Sequence, residues 1–294
     1  MGRRFARTLG RPRLRVEGVG CVFENPFSSP APPAMLAAMK ALSLLAILML
    51  TAVLAAVSAE PDPRVFEMRT YYAAPGKLDD LHARFRDHTT KLFAKHGITN
   101  IGYWVPIEST DNKLVYVLAY PSREAREVSW KEFGADPDWQ TARKASEANG
   151  KLVAKVEQLF MKTTDFSPAI LPPISGAPRT FELRTYTTTP GNLPALHTRF
   201  REHTIALFAK HGMANLWYWQ LLPEQKIADP ENTLVYLLAH TSVDAAKASF
   251  AAFRDDPEWV AVKKASEDKA GGSLTVPDGV KSVFMTATDY SPIR

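Results

Sequence analysis

The sequence predicts an α+β fold made of two tandem ferredoxin-like (βαββαβ) domains that pair with each other. Residues 66–104 return as residues 181–219 at a constant offset of 115, with 24 of the 39 positions identical. A period that long fits a duplicated whole domain and does not fit a solenoid of small repeats. Within each copy the hydrophobic period changes in the order strand, helix, strand, strand, helix, strand, which is the split βαβ pattern. The third strand, Leu-Val-Tyr-Val-Leu-Ala at 114–119, has almost no polar face, so both of its faces need cover. A single sheet with helices on one side leaves the other face wet. Burying that face against the second copy, at about 25 cal/mol per Å² of apolar area, favours pairing.

The elements follow in order. Residues 66–72 alternate aromatic and polar side chains and read as a strand. Pro75-Gly76 makes a turn. From Lys77 onward Leu78, Leu81, Phe85, Thr89, Leu92 and His96 fall three or four apart and share one helix face. Gly97 stands where a helix-ending glycine belongs. Residues 98–105 form the second strand, Asp111-Asn112 a turn, and 114–120 the third strand. Pro121-Ser122 opens a helix that runs to Phe133. Asp136-Pro137-Asp138-Trp139 caps a further helix, with proline in its first turn, and residues 156–163 close the copy as a fourth strand. The second copy repeats this with strands at 181–186, 214–221, 233–240 and 280–287, and helices at 192–211, 243–253 and 257–266. It carries five extra residues near 223–230 and four near 271–279, polar or rich in Gly and Pro, which surface loops are expected to absorb. Each copy ends on one phrase, Asp165-Phe166-Ser167-Pro168 and Asp289-Tyr290-Ser291-Pro292. The domains are thus expected at 64–168 and 180–294, with a stiff proline-rich linker at 169–179.

Residues 1–59 read as a leader. Lys40, an apolar run over 41–57 and the small residues Ser58 and Ala59 make up the three parts of a secretory signal peptide, about 35–59, with cleavage after Ala59. A membrane anchor would need about 20 apolar residues. The basic, acid-free stretch 3–15 offers a mitochondrial presequence as the minority alternative. The residues before Met35 are expected to precede the true start. The product is therefore expected to be exported, periplasmic or extracellular, with no stable membrane span after leader removal.

The chain has 36 Lys+Arg and 31 Asp+Glu. Seven of the basic and two of the acidic residues lie in the leader, which leaves 29 of each. A neutral remainder gives no electrostatic ground for a nucleic-acid partner. The only cysteine, Cys21, is also in the leader, so the mature part has no disulfide, thiol nucleophile or cysteine metal site. No serine has a Gly-x-Ser-x-Gly setting and no glycine-rich loop would cradle phosphate, which removes hydrolase, kinase and Rossmann dehydrogenase readings.

The Phe-Glu-x-Arg-Thr-Tyr openings, the Pro-Gly before the first helix, Phe-Arg-x-His-Thr within it and Lys-His-Gly at its end resemble the NIPSNAP domain family. So do the Asp-Pro-x-Trp segments at 136–139 and 256–259. The resemblance covers essentially all of 64–294 as two copies. It implies a dimeric α/β barrel, in which two four-stranded sheets face each other with helices outside. A tandem chain would build that barrel by intrachain pairing, with a homodimer as the alternative.

Several residues are candidates for chemistry. On the first strand Glu67, Arg69 and Tyr71 alternate with Phe66, Met68 and Thr70. The apolar set is expected to face the helices and the polar set the barrel interior, together with Glu182, Arg184 and Tyr186. A charged pair plus a phenol would hold a small polar or anionic ligand, with arginine as the carboxylate fork; a buried structural Glu–Arg bridge or an exposed edge strand is the plainer reading. Trp104, Trp217 and Trp219 would form an aromatic wall or simply barrel core, with Trp217 and Trp219 on the face of Asn215. His82 and His88 are six apart, about 120° and about 9 Å on a helix, as are His197 and His203, so neither pair makes a helix-local metal site and no metal is expected. His96 and His211 suit a helix C-terminus. His88 and His203, between Phe85 and Leu92 and between Phe200 and Leu207, are the catalytic candidates, as acid/base or axial haem ligand; a core histidine bonded to the sheet is the alternative.

The functional expectation is an exported tandem-domain protein that binds a small ligand or protein partner, without a cofactor. The alternative is a cofactor-free or haem-dependent monooxygenase-like enzyme, an inference from relatives of the barrel. That alternative requires His88 or His203 to converge with Arg69 or Arg184 on a barrel cavity.

Overall fold

The computed structural model describes residues 60–108, 112–169, 179–227 and 229–294. The leader and most of the proline-rich linker, both expected above, lie outside the described residues. The first half runs β1 (Val65–Ala73), α1 (Leu78–Arg84), a π-turn (Phe85–Thr89), α2 (Thr90–Lys95), β2 (Thr99–Pro106), β3 (Lys113–Tyr120), α3 (Arg123–Ala135), α4 (Pro137–Ser146) and β4 (Val153–Thr163). The second half repeats it as β5 (Thr180–Thr188), α5 (Leu193–Arg199), a π-turn (Phe200–Thr204), α6 (Ile205–Lys210), β6 (Ala214–Leu221), β7 (Thr233–His240), α7 (Val243–Asp255), α8 (Pro257–Ala270) and β8 (Thr275–Ala287). Gly97 and Gly212 end the first helical stretch of each half at φ +73° and +77°, a conformation that costs glycine least. Ser122 and Ser242 accept a backbone N–H from Ala125 and Ala245 and so cap α3 and α7. Asp136 and Asp256 do the same for α4 and α8.

All eight strands close into one antiparallel barrel in the order β1-β3-β2-β8-β5-β7-β6-β4. Each half contributes a four-stranded sheet. Two short seams join the sheets: β2 to β8 through Trp104–Ala287, Val105–Thr286 and Pro106–Met285, and β4 to β6 through Met161–Leu221, Lys162–Gln220 and Thr163–Trp219. The barrel therefore forms within one chain. Closure leaves no open sheet edge. It also encloses a core drawn from both halves, in which Phe66 packs on Trp219 and Trp104 on Phe181, ring centroids 5.9 and 5.7 Å apart. Two further cores lie under the helices, one per half. The expectation that β3 is covered on both faces holds: only Lys113 in it is not buried.

Three expectations need correction. Phe66 and Met68 point into the barrel and Glu67, Arg69 and Tyr71 point towards the helices, the reverse of the expected facing. The interior of an eight-stranded barrel is filled by side chains, here the apolar set, and the polar set finds its hydrogen-bond partners under the helices. Asn215 does not share a face with Trp217 and Trp219. A β-bulge between Asn215 and Trp217 reverses the alternation, so Asn215 donates to the Ile205 carbonyl on the helix side. The extra residues near 271–279 are not all loop. Part of them extends β8, with Asp278 at φ +56° and Gly279 passing so near β5 that a Cβ would lie 2.6 Å from the Thr187 carbonyl oxygen.

Candidate functional site

The sequence candidates on β1 and β5 form two buried polar clusters between sheet and helices. In the first, Arg69 reaches Glu67 at 2.5 Å, the Tyr116 hydroxyl at 3.1 Å and the Gln158 amide oxygen at 3.1 Å. Arg126 on α3 adds a two-pronged pair to Glu67 at 2.9 and 3.0 Å. Tyr120 donates to the same carboxylate at 3.0 Å and accepts from the Trp130 indole at 2.8 Å. Burial alone would raise the Glu67 pKa; the hydrogen bond from Arg126 and the charges of both arginines outweigh it and hold the carboxyl below its ordinary value. The guanidinium of Arg69 also lies 4.5 Å above the Trp130 ring.

The second cluster keeps the plan with different parts. Arg184 pairs with Glu182 and reaches Tyr236 at 2.9 Å and Tyr186 at 3.2 Å. His240 stands where the first half has Tyr120, and Ala246 where it has Arg126. The Glu182 carboxylate is bonded by His240 at 2.9 Å and by Ser282 at 2.5 Å. Phe250 takes the place of Trp130, 4.4 Å from Arg184. Both clusters are Glu–Arg bridges with most of their hydrogen-bonding capacity used internally.

Trp104, Trp217 and Trp219 lie inside the barrel as core, and the latter two pack on each other at 5.8 Å. His88 is exposed and His203 half-buried, both on the outer side of the helices, where they line surface grooves. The π-turn explains this. It adds one residue to the turn, so that Thr89 and Thr204 go to the core and donate to the Arg84 and Arg199 carbonyls five residues back. The preceding histidine is turned outwards. His88 and His203 therefore do not meet Arg69 or Arg184 at a barrel cavity. A haem does not fit them: Lys77, Asp80, Asp87 and Asn149 line the groove at His88, and the groove at His203 is lined by alanine, valine and polar or charged side chains with no aromatic ring to enclose a macrocycle. Among the described residues no three His, Cys, Asp or Glu side chains cluster as a metal site.

A cavity of about 400 Å³ opens between sheet and helices in the first half. Tyr71, Phe85, Phe93, Trp130, Phe133 and Trp139 form its apolar wall, and Arg84, Arg143, Lys151 and Glu147 its polar part. Tyr71 and Trp130 are shared with the Arg69 cluster. Of the sequence candidates, only Tyr71 lines this space. Arg84, Trp130 and Trp139 were missed, although Arg84 and Trp139 recur in the second copy as Arg199 and Trp259. Each of these arginines stacks on its tryptophan at 5.2 Å, and each leaves its buried Nε without a hydrogen-bond partner.

An eight-stranded antiparallel barrel with helices outside, made from two βαββαβ halves, defines the class of dimeric α/β-barrel proteins in single-chain form. The NIPSNAP family profile matches residues 66–168 and again 181–292; the chain belongs to the NIPSNAP family. Among solved structures, a NIPSNAP domain protein of Burkholderia xenovorans is 24% identical, with 36% of this chain and 99% of that one covered and a TM-score of 0.32. A NIPSNAP family protein of Agrobacterium tumefaciens is also 24% identical, over 36% and 92% of the two chains, with a TM-score of 0.32. A protein of Fusobacterium nucleatum assigned as a monooxygenase shares the fold over 78% of this chain and 93% of its own, at 11% identity and a TM-score of 0.50. Comparison with curated proteins returns no match. Among the described residues no helix is long and apolar enough to cross a membrane.

Proposed function

We propose that this protein binds a small, flat, apolar molecule bearing an anionic group, in the space between sheet and helices of its first half. The observation that carries the reading is the cavity of about 400 Å³ with six aromatic side chains on its wall and, on its polar side, Lys151 together with Arg84 and Arg143, which share the Glu147 carboxylate. Aromatic walls supply apolar contact, and a few convergent polar groups orient the ligand. The oxygenase alternative lacks its required meeting of histidine and arginine, so binding is the function put forward. The reading of residues 35–59 as a secretory leader supports binding outside the cytoplasm.

The probe is 2-naphthoate, followed by tryptophan fluorescence and calorimetry, with naphthalene as the uncharged comparison. Gly134 lines the cavity and a Cβ there meets nothing within 4 Å, so Gly134→Leu fills space without forcing the helix. Saturable binding of one naphthoate, weaker by about tenfold or more in Gly134→Leu, is expected. Equal binding by the variant, or no binding by the natural protein, would overturn the reading.

A further inference from the structure

The second half carries a groove of about 610 Å³ between α5 and α8, outside the barrel and apart from the aromatic cavity. Its walls are largely methyl and methylene: Ala195, Ala261, Val262 and Ala265. Arg199, a side chain with 6% exposure, also lines it. The hydrogen bonding of this arginine is thin. Its Nε has no partner. One Nη reaches the Ser266 hydroxyl at 3.3 Å, and Glu267 stays at 3.7 Å, beyond hydrogen-bond distance. A buried guanidinium has five N–H donors to satisfy, and leaving them unmade is expensive.

The matching groove of the first half shows what has changed. There Arg84 has its carboxylate, Glu147, at 3.0 Å, and Arg143 holds the same carboxylate at 3.2 Å. Asp80, paired with Lys77 at 3.0 Å, lines that groove; its counterpart in the second half is Ala195. Asn149 lies beyond α4, whereas its counterpart Lys269 lies on α8, which continues to Ala270 before Gly271 stops it at φ +75°. Thus one acid has become a methyl group, the ammonium of Lys77 has become the amide of Asn192 while the amide of Asn149 has become the ammonium of Lys269, and the arginine has lost its close carboxylate. The second groove is larger, about 610 against 370 Å³. Glu202 remains as an acid on its rim.

We infer that the groove between α5 and α8 is a second ligand site, which takes a monocarboxylate with an aliphatic body, its carboxylate on Arg199 and Lys269 and its chain along the alanine wall. A carboxylate matches the guanidinium fork. Ala195, Ala261, Val262 and Ala265 leave room for a chain, and Asn192, Thr198 and His203 also line the groove. Burial pulls the Arg199 pKa below its ordinary value despite Glu267, which fits a cation short of counter-charge. This site goes beyond the function proposed for the first half and stands or falls independently of it.

The test is calorimetric titration of the protein as isolated with decanoate, with decanol and inorganic phosphate as comparisons. Decanoate is expected to bind at least about tenfold more tightly than either, since it alone uses both cation and wall. Arg199→Lys, which keeps the charge but loses the fork, should weaken decanoate by about tenfold. Ala265→Glu places a carboxylate on an exposed helix position that tolerates it, fills the anion position from within, and should abolish binding without harm to folding. Gly134→Leu, which blocks only the first-half cavity, should leave decanoate binding unchanged. Decanol or phosphate binding as tightly as decanoate, full affinity in Ala265→Glu, loss in Gly134→Leu, or no decanoate binding would each overturn the inference.

Discussion

Arg86 and Asp289 stand 203 residues apart and meet in a two-pronged ion pair, Nε to Oδ2 at 2.5 Å and Nη2 to Oδ1 at 2.8 Å. Arg201 and Asp165 repeat it at 2.9 and 2.8 Å. The closing phrase of each half is therefore docked on the first helical stretch of the other half. Tyr290 packs on Phe85 and Tyr103, and Phe166 on Phe200 and Tyr218. The Ser291 and Ser167 hydroxyls accept the Tyr103 and Tyr218 backbone N–H groups, each at 3.0 Å. This exchange clasps the halves outside the two short strand seams.

The clasp separates two kinds of contact. The ion pairs are largely exposed, so Asp289→Ala should cost no more than about 1 kcal/mol. Ser291 is buried, and Ser291→Ala leaves a buried N–H unpaired, at about 1–3 kcal/mol. Urea unfolding should thus show the serine variant as the weaker of the two; the opposite ranking would mean that the charges, not the buried hydrogen bonds, hold the clasp.

Gly102 tests the asymmetry of the barrel interior. Its counterpart is Trp217, and its own bulge lets the Trp104 ring fold over it: a Cβ would lie 2.2 Å from Trp104 Cη2 and 3.0 Å from an Ile293 methyl. Gly102→Ala must displace a buried ring, at about 1–3 kcal/mol. Gly134→Ala, with open space and a helical backbone, should stabilise by about 0.5–1 kcal/mol. Thermal unfolding of the pair gives opposite signs if the packing is as described.

Most elements of the fold were legible, and so were their caps. Strand 233–240 is observed with the predicted bounds, because a run of six apolar or aromatic residues, Leu234 to Ala239, between polar turns allows little else. Asp136 and Gly97 sit at helix ends for local reasons that sequence carries. What sequence did not carry was facing. Alternation divides β1 into Phe66-Met68 and Glu67-Arg69-Tyr71 but does not say which set is inside; that depends on barrel closure and on Arg126 and Trp130, some 60 residues away. One-residue irregularities were equally silent. The π-turn moved His88 off the core face, and the bulge after Asn215 moved Trp217 and Trp219 off its face. The arginine recurs in both copies, as Arg84 and Arg199, but an arginine before a phenylalanine on a helix gives no sign that its Nε will be buried.

The Glu67 cluster predicts a response to acid. Its carboxyl lies below its ordinary pKa in the folded state, so the stability it supplies is present above the unfolded value, about 4.3, and is lost as pH falls through the folded value. In Arg126→Ala the carboxyl loses two hydrogen bonds and a charge while remaining buried. The folded pKa should rise, the protein should lose about 3 kcal/mol at neutral pH, and the acid unfolding midpoint should move to higher pH. A circular dichroism titration showing an unchanged midpoint would place the acid sensitivity elsewhere.

His197 predicts a second, separable pH effect. Burial lowers its pKa to about 4, against the opposing charge of Asp165, and its Nε2 has no hydrogen-bond partner. Its counterpart His82 has the Tyr290 hydroxyl at 2.8 Å from Nδ1, where His197 has only the edge of Phe166 at 5.2 Å between centroids. The unfolded histidine titrates near 6.5, so between that pH and about 4 the unfolded chain binds the proton and the folded chain does not. The contribution of His197 is therefore full above pH 6.5 and declines as pH falls towards 4. The shift corresponds to about 3 kcal/mol at most, and partial exposure reduces this to about 1–2 kcal/mol. His197→Phe should flatten the stability profile between pH 6.5 and 4 while changing it little at pH 8. Phe166→Tyr should leave the fold intact and bring the second half closer to the behaviour of His82. If urea midpoints of His197→Phe still fall with the natural slope across that range, another group carries the proton.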